Sequence, residues 1–175
     1  MPVVSLWLVP IASDRPHLTH QIQTLAQQHQ TVAFDPHMTL CHGIVDSIDA
    51  IIPTLYRVAA KAPHQFELTT AGIQTGDRFS KTVFIQLTTT PTLAAWRNQL
   101  CAATDLPKSG FDPHVSLLYK AIDLSSKRAI AQTLPPPSPT LAFGELWVVT
   151  APDPFQTQTD VQQLCCVFKT LLGQI

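Results

Sequence analysis

The spacing of apolar residues runs through the same series of periods twice. Val3 to Val9 alternates as a strand, with Ser5 and Trp7 on one face and Val4, Leu6 and Leu8 on the other. Pro10 ends that run, Asp14 with Pro16 opens a helix, and Leu18, Ile22 and Leu25 recur at helical spacing. The other face of that helix is Gln-rich, which turns His17, His20 and His29 to solvent. After a short strand around Met38, Asp46 to Lys61 returns to helical spacing, with Pro53 in its first turn or at a kink. Phe66 to Ile73 then alternates as a strand.

The series restarts at Thr82 to Thr88. A helix opens at Thr90 and Pro91 with Leu93, Trp96, Leu100 and Ala103 as its buried stripe, so Trp96 is expected in the core. A short strand around Val115 follows, then a helix over Ser125 to Leu134 capped by Ser125 or Ser126, and a strand over Thr140 to Ala151. The prolines between Pro135 and Pro139 form a stiff connector, and Val161 to Lys169 adds a last strand. Between the two rounds, Gly72, Gly76 and Asp77 mark a loop over 74–81 that carries Arg78, Phe79 and Lys81. It reads equally as a solvated tip and as a flap over a substrate.

Two rounds of strand, helix, strand, helix, strand imply an α+β fold with antiparallel sheets and helices outside them. The expected half-repeats are about 3–73 and about 80–150 within a single domain 1–175, with the strand at about 161–169 added. The clearest sign of duplication is a short echo. Phe34, Asp35, Pro36, His37, Met38, Thr39 and Leu40 return as Phe111, Asp112, Pro113, His114, Val115, Ser116 and Leu117, identical at five of seven positions. In each copy the proline fixes its own φ and biases the preceding aspartate towards extended backbone, so the histidine enters its strand with little local freedom. Strand parity puts His37, Thr39 and Cys41 on one face, opposite Met38, Leu40 and His42. In the second copy His114, Ser116 and Leu118 oppose Val115 and Leu117, and Tyr119 reaches the histidine face only if the strand bends first.

Composition narrows the chemistry. Eleven Lys and Arg against twelve Asp and Glu give a formal charge of −1, with no basic footprint for a long nucleic acid. Cys41, Cys101, Cys165 and Cys166 contain no CxxC pair, which reads as reduced thiols in a cytoplasmic protein. No stretch approaches a membrane span, and nothing demands more than a monomer. A metal site on His37, Cys41 and His42 is disfavoured because His42 leaves by the opposite face and no carboxylate cluster lies nearby.

Two imidazoles and two hydroxyls facing one groove are a complete set for cleaving a phosphodiester. One imidazole takes a proton from water, and the other gives one to the leaving oxygen on the far side of phosphorus. The hydroxyls donate to the non-bridging oxygens, so neither metal nor cofactor is called for. Buried structural histidines are the bland alternative, and the twinned hydroxyl two residues on argues against it in both copies.

At PHMTL and PHVSLLY the chain resembles the 2H phosphoesterases, which carry paired H-x-[ST] motifs, and among them the cyclic phosphodiesterases of plant and yeast type. SLWLVP, FDPHMTL and the stretch up to VFIQLTTTP extend the likeness over most of the chain. The resemblance implies a bilobal fold of pseudo-twofold form, with two antiparallel sheets facing a central cleft. It implies hydrolysis of ADP-ribose 1'',2''-cyclic phosphate to the 1''-phosphate and of nucleoside 2',3'-cyclic phosphates to 2'-phosphates, by-products of RNA and tRNA splicing. Catalysis would fall to His37, Thr39, His114 and Ser116, with Trp7, Phe79 and Tyr119 lining the cleft. The expected partner is a small cyclic-phosphate nucleotide. The plant relatives carry disulfides whose pairing these cysteines do not reproduce. Competing expectations are an RNA-end-processing enzyme of the RNA ligase-like branch, which the scarcity of basic residues opposes, and an inactive nucleotide-binding module, which the intact motifs oppose.

Overall fold

The computed structural model describes residues 1–108 and 110–174. Its strands are β1 (Val3–Pro10), β2 (Met38–Ile44), β3 (Phe66–Thr75), β4 (Val83–Leu87), β5 (His114–Leu118), β6 (Thr140–Thr150) and β7 (Cys165–Leu171). Its helices are α1 (Arg15–His29), α2 (Ile48–Ala60), α3 (Pro91–Thr104), α4 (Leu124–Thr133) and α5 (Gln158–Gln162), with a single 3-10 turn at Phe79–Lys81. The fold is α+β, with every strand pair antiparallel.

The strand order β2-β1-β6-β3-β4-β5 is symmetric about its middle, with β7 on the free stretch of β6. Taken by sequence round, β1, β2 and β3 match β4, β5 and β6. In space β6 joins β1 and β3 joins β4, so each sheet takes its third strand from the other half. β3 and β6 pair at the centre, through Phe66 to Thr69 against Phe143 to Thr140. Gly72, at φ +84°, lies where β3 leaves β6 for β4, a left-handed conformation that a side chain would resist.

One contiguous core lies under both sheets and takes Leu18 and Ile22 from α1, Leu55 from α2, and Leu93 and Leu100 from α3. Trp96 is buried there and donates its indole N–H to the Val58 carbonyl. The opposite face of the first sheet carries a second cluster of Trp7, Val9, Trp147 and Val149, and this face looks into the cleft.

Several local expectations shift. The last strand begins at Cys165, because Thr157 and Asp160 form a reciprocal capping box that draws Val161 into α5. Asp123, not a serine, caps α4 by accepting the Ser126 amide at 2.8 Å. Pro53 lies in the second turn of α2, beyond the positions where a missing N–H costs nothing. His17 and His20 are exposed, but His29 is half-buried where its carbonyl accepts from the Lys120 ammonium.

Each histidine strand also contains a β-bulge. Trp7 pairs with Thr39 but Leu6 with Cys41, leaving Leu40 as the extra residue. Phe84 pairs with Ser116 but Val83 with Leu118, leaving Leu117 extra. The bulges fall at equivalent places and reverse the parity beyond them. Cys41 therefore turns into the core, contrary to simple alternation, and Tyr119 is brought round to the cleft.

Candidate active site

The two Asp-Pro-His turns close in the same way. The His37 Nδ1–H donates to the Asp35 carbonyl and the His114 Nδ1–H to the Asp112 carbonyl, each at 2.7 Å. A carbonyl only accepts, so each neutral ring carries its proton on Nδ1 and turns the Nε2 lone pair away from the turn. Pro36 and Pro113 are buried and hold these turns in place, while the aspartate side chains stay at the surface. Two residues on, Thr39 and Ser116 occupy equivalent cross-strand positions opposite Trp7 and Phe84.

All four sequence-singled residues, His37, Thr39, His114 and Ser116, come from β2 and β5 or the turns that lead into them. The rings share one electrostatic environment, since His114 is near enough for its charge to disfavour protonation of His37. Trp7 stacks on His37 with centroids 3.5 Å apart and planes 5° from parallel. Tyr119 reaches across from the end of β5 to set its hydroxyl 3.4 Å from His37 Nε2. Phe79 lies 6.1 Å from the Tyr119 ring, on the 3-10 turn that borders the cleft.

Burial sets the charge states. His37 is 5 % exposed, and desolvation lowers its pKa from 6.5 to about 3, against the opposing pull of its Asp35 hydrogen bond. His114 is also lowered, first by desolvation and then by the cations Lys81 and Arg78, while its hydrogen bond to the Asp112 carbonyl and the Asp112 charge act the other way. Lys81 pairs with the Asp112 carboxylate, and Gln86 donates to it at 2.9 Å. Burial would raise that carboxyl, but these donors outweigh it and hold Asp112 below the usual range. Burial raises the Tyr119 phenol, which keeps its proton.

The hydroxyls differ. Thr39 is half-buried and makes no hydrogen bond through its hydroxyl among the described residues. Ser116 is buried and donates to the Ser80 carbonyl at 2.7 Å, so it also anchors the 3-10 turn.

Sequence reasoning missed five contributors. Phe34 stacks on Tyr119 at 3.7 Å and meets His37 edge-on. Phe155 closes the same cluster, 5.8 Å from Tyr119 and 5.9 Å from Phe79. Gln158 accepts from the Val32 amide and donates to the Tyr119 carbonyl, each at 2.7 Å, tying α5 to both walls. Lys81, which the sequence places only on a loop, pairs with Asp112 behind His114. Arg97 is 5 % exposed and links the motifs from behind: its Nε donates to Leu40 in the β2 bulge at 2.7 Å, its terminal nitrogen to Lys108 at 2.8 Å, and its guanidinium lies over Phe111. Its spacing from Leu93 and Leu100 placed it on the buried stripe of α3, a signal available in the sequence.

Among the described residues no group of three or more His, Cys, Asp and Glu is placed to hold a metal ion. His37, Cys41 and His42 diverge into cleft, core and solvent. No described helix is long and apolar enough to cross a membrane.

Residues 1–146 match the family model of cyclic phosphodiesterase-like proteins. No curated protein matches the chain by sequence. Among solved structures, E. coli LigT complexed with 3'-AMP aligns with a TM-score of 0.61 at 19% identity over 99% of this chain and 100% of its own. A crystal structure of a phosphoesterase gives 0.63 at the same identity and coverage. E. coli LigT complexed with NADP+ gives 0.61 at 18% identity, over 99% and 98% of the two chains. At such identities the likeness is one of fold.

Proposed function

The chain belongs to the cyclic phosphodiesterase-like family of 2H phosphoesterases, and we propose that it hydrolyses small cyclic phosphodiesters, using His37 and His114 as its proton-transfer pair. The observation that carries this reading is the twin Nδ1 lock, which leaves proton transfer to Nε2 in both rings, that of His37 being reached once it is released by the Tyr119 hydroxyl. The substrates proposed are nucleoside 2',3'-cyclic phosphates, opened to 2'-phosphates, and ADP-ribose 1'',2''-cyclic phosphate, opened to the 1''-phosphate.

The unequal burial of the rings supports a division of labour. His37, with its pKa near 3, is neutral over the working range and suits the base. His114 is lowered too, by desolvation and by Lys81 and Arg78, but it is less buried than His37 and has the Asp112 charge beside it, so it is the ring better able to hold a proton and suits the acid. With roles reversed, catalysis would depend on a minor form. In the step proposed, His37 Nε2 takes a proton from water as the water oxygen bonds to phosphorus. The bond from phosphorus to the opposite ester oxygen breaks, and His114 Nε2–H protonates that oxygen. Solvent then restores both rings. Thr39, and Ser116 once it releases Ser80, donate to the non-bridging oxygens. Trp7, Tyr119 and Phe79 form the apolar walls.

The test is hydrolysis of adenosine 2',3'-cyclic phosphate by the purified protein, with the product identified by phosphorus NMR. A 2'-phosphate formed at the same rate with a strong chelator is expected. No turnover, or turnover that a chelator removes and a divalent metal restores, overturns the proposal.

A further inference from the structure

The loop between β3 and β4 borders the His114 side of the cleft. Thr75 pairs with Val83, so residues 76–82 form the loop, and the 3-10 turn Phe79–Lys81 is its tip. Phe79 borders the Tyr119 ring, Lys81 pairs with Asp112, and the Ser80 carbonyl accepts from Ser116. Arg78 and Lys81, the two cations that act on His114, both belong to it. Composition allows a solvated tip or a flap, and the contacts behind the loop favour neither.

The neck of the loop is closed. The Gly76 amide donates to the Thr82 carbonyl at 3.2 Å, and a Cβ on residue 76 would stand 2.5 Å from the Lys81 carbonyl oxygen, so glycine is required there. Thr82 is fully buried, accepts the Lys120 amide at 3.0 Å and gives its hydroxyl proton to the Lys120 carbonyl at 2.7 Å. At the other end Lys127 of α4 extends its ammonium to the Gly76 carbonyl at 2.7 Å, with the exposed Asp77 carboxylate 3.7 Å away. Lys127 is 7 % exposed and lies with Ile130 on the buried side of α4. An apolar side chain there would cover the same core without dehydrating an ammonium, so packing alone does not account for a lysine. What only a donor supplies is the tie to Gly76. That tie matters most when Ser116 turns its hydroxyl from Ser80 to a phosphate oxygen, because the turn then depends on Lys127 and Thr82.

We propose that Lys127 is a positioning residue of the reaction, holding the neck of this loop so that the 3-10 turn stands as a preformed wall of the cleft. The wall is in place before substrate arrives and stays in place after Ser116 has released Ser80. The inference rests on the hydrolase reading and adds to it a residue that acts only through the loop.

Lys127→Met keeps the stem and removes the ammonium. On adenosine 2',3'-cyclic phosphate it is expected to lower kcat about tenfold with little change in KM, as a small misplacement of the site does. Lys127 is not among the groups that set His114, so its loss reaches that ring only by releasing Arg78 and Lys81. The alkaline limb of kcat/KM should then move upward, by less than about one unit, while the acid limb stays. Trypsin reports the loop without reference to catalysis. Cleavage after Arg78 or Lys81 should be about tenfold faster in the variant, the share of one lost hydrogen bond from a charged donor. Unchanged cleavage overturns the proposal, and so does faster cleavage with kcat and both limbs unchanged. If Lys127→Met does not fold, the wild type decides by amide exchange. The Gly76 and Lys81 amides, bonded to the Thr82 and Arg78 carbonyls, are expected to exchange slowly in the free protein and no more slowly with adenosine 2'-phosphate bound. Fast exchange that the nucleotide slows would make the loop a flap and overturn the preformed wall. A wild type that hydrolyses no cyclic nucleotide removes the hydrolase reading, and the cleavage and exchange results still decide whether the turn is preformed.

Discussion

The half of the cleft around His37 is buried and aromatic, and the half around His114 is polar and charged. His37 is walled by Trp7, Phe34 and Tyr119, and among the described residues no carboxylate or ammonium is paired with it. His114 meets only Phe84 edge-on, and behind it Asp112 is held by Lys81 and Gln86. The backbone devices are nonetheless the same, with one proline, one carbonyl lock and one bulge on each side. The backbone thus sets two near-equal placements, and the surrounding side chains make them chemically unequal. A reaction that needs one group to accept a proton while the other gives one up requires that inequality.

The largest effect expected comes from removing either ring. His37→Ala and His114→Ala should each lower turnover of a cyclic nucleotide by ~10² to 10⁴-fold. The two should part on an aryl phosphodiester whose acidic phenol leaves without help. There His114→Ala recovers most of its loss, because the acid is no longer needed, and His37→Ala does not. The opposite pattern would exchange the roles, and equal recovery would dissolve the distinction.

The hydroxyls extend the comparison at smaller magnitude. Thr39 has no acceptor to give up among the described residues, whereas Ser116 must abandon Ser80 before it can donate to a phosphate oxygen. Thr39→Val should therefore cost about 10²-fold in kcat, as loss of one preorganised donor does, and Ser116→Ala clearly less. Equal losses would mean that the Ser80 bond survives only in the empty cleft.

Much of this arrangement was legible in the chain. The echo of Phe34 to Leu40 in Phe111 to Leu117 identified the paired strands, and the prolines showed why the histidines are fixed. The bulges were not read, because Leu40 and Leu117 look like ordinary inward residues, although Tyr119 standing on the wrong parity was their trace. The packing behind Tyr119 was also hidden, since Phe155 and Gln158 of α5 reach it from an aperiodic segment far along the chain. Alternation reports which face a residue takes within its own element and is silent about what a distant loop lays over it.

Arg97 tests whether the two halves are mechanically joined. It is a buried cation whose donors meet the Leu40 carbonyl in the first motif and the Lys108 carbonyl just ahead of the second, with no carboxylate paired to it among the described residues. Arg97→Met keeps the volume but leaves the Leu40 and Lys108 carbonyls unpaired, which should lower stability by about 2 kcal/mol. It should also reduce kcat about tenfold with little change in KM, as a small misplacement of reacting groups does. Unchanged kcat in a folded variant would make the link structural only.

The smallest effect expected concerns pH, and it shows which side of the cleft carries which limb. Activity needs His37 neutral, so kcat/KM rises as pH climbs through about 3 and this limb is complete well below neutrality. It also needs His114 protonated, so kcat/KM falls as pH passes the His114 pKa, which lies below 6.5, and the optimum sits on the acid side of that value. Lys81→Met removes a cation that lowers the His114 pKa and uncovers the Asp112 charge that raises it. Both changes favour the imidazolium, so the alkaline limb should move upward, by less than about one unit for groups open to screening, and activity above the optimum should rise a few-fold. Lys81 does not figure among the groups that set His37, so the acid limb should stay in place. An alkaline limb that moved down, or two limbs that moved together, would show that Lys81 acts on both rings and not on His114 alone.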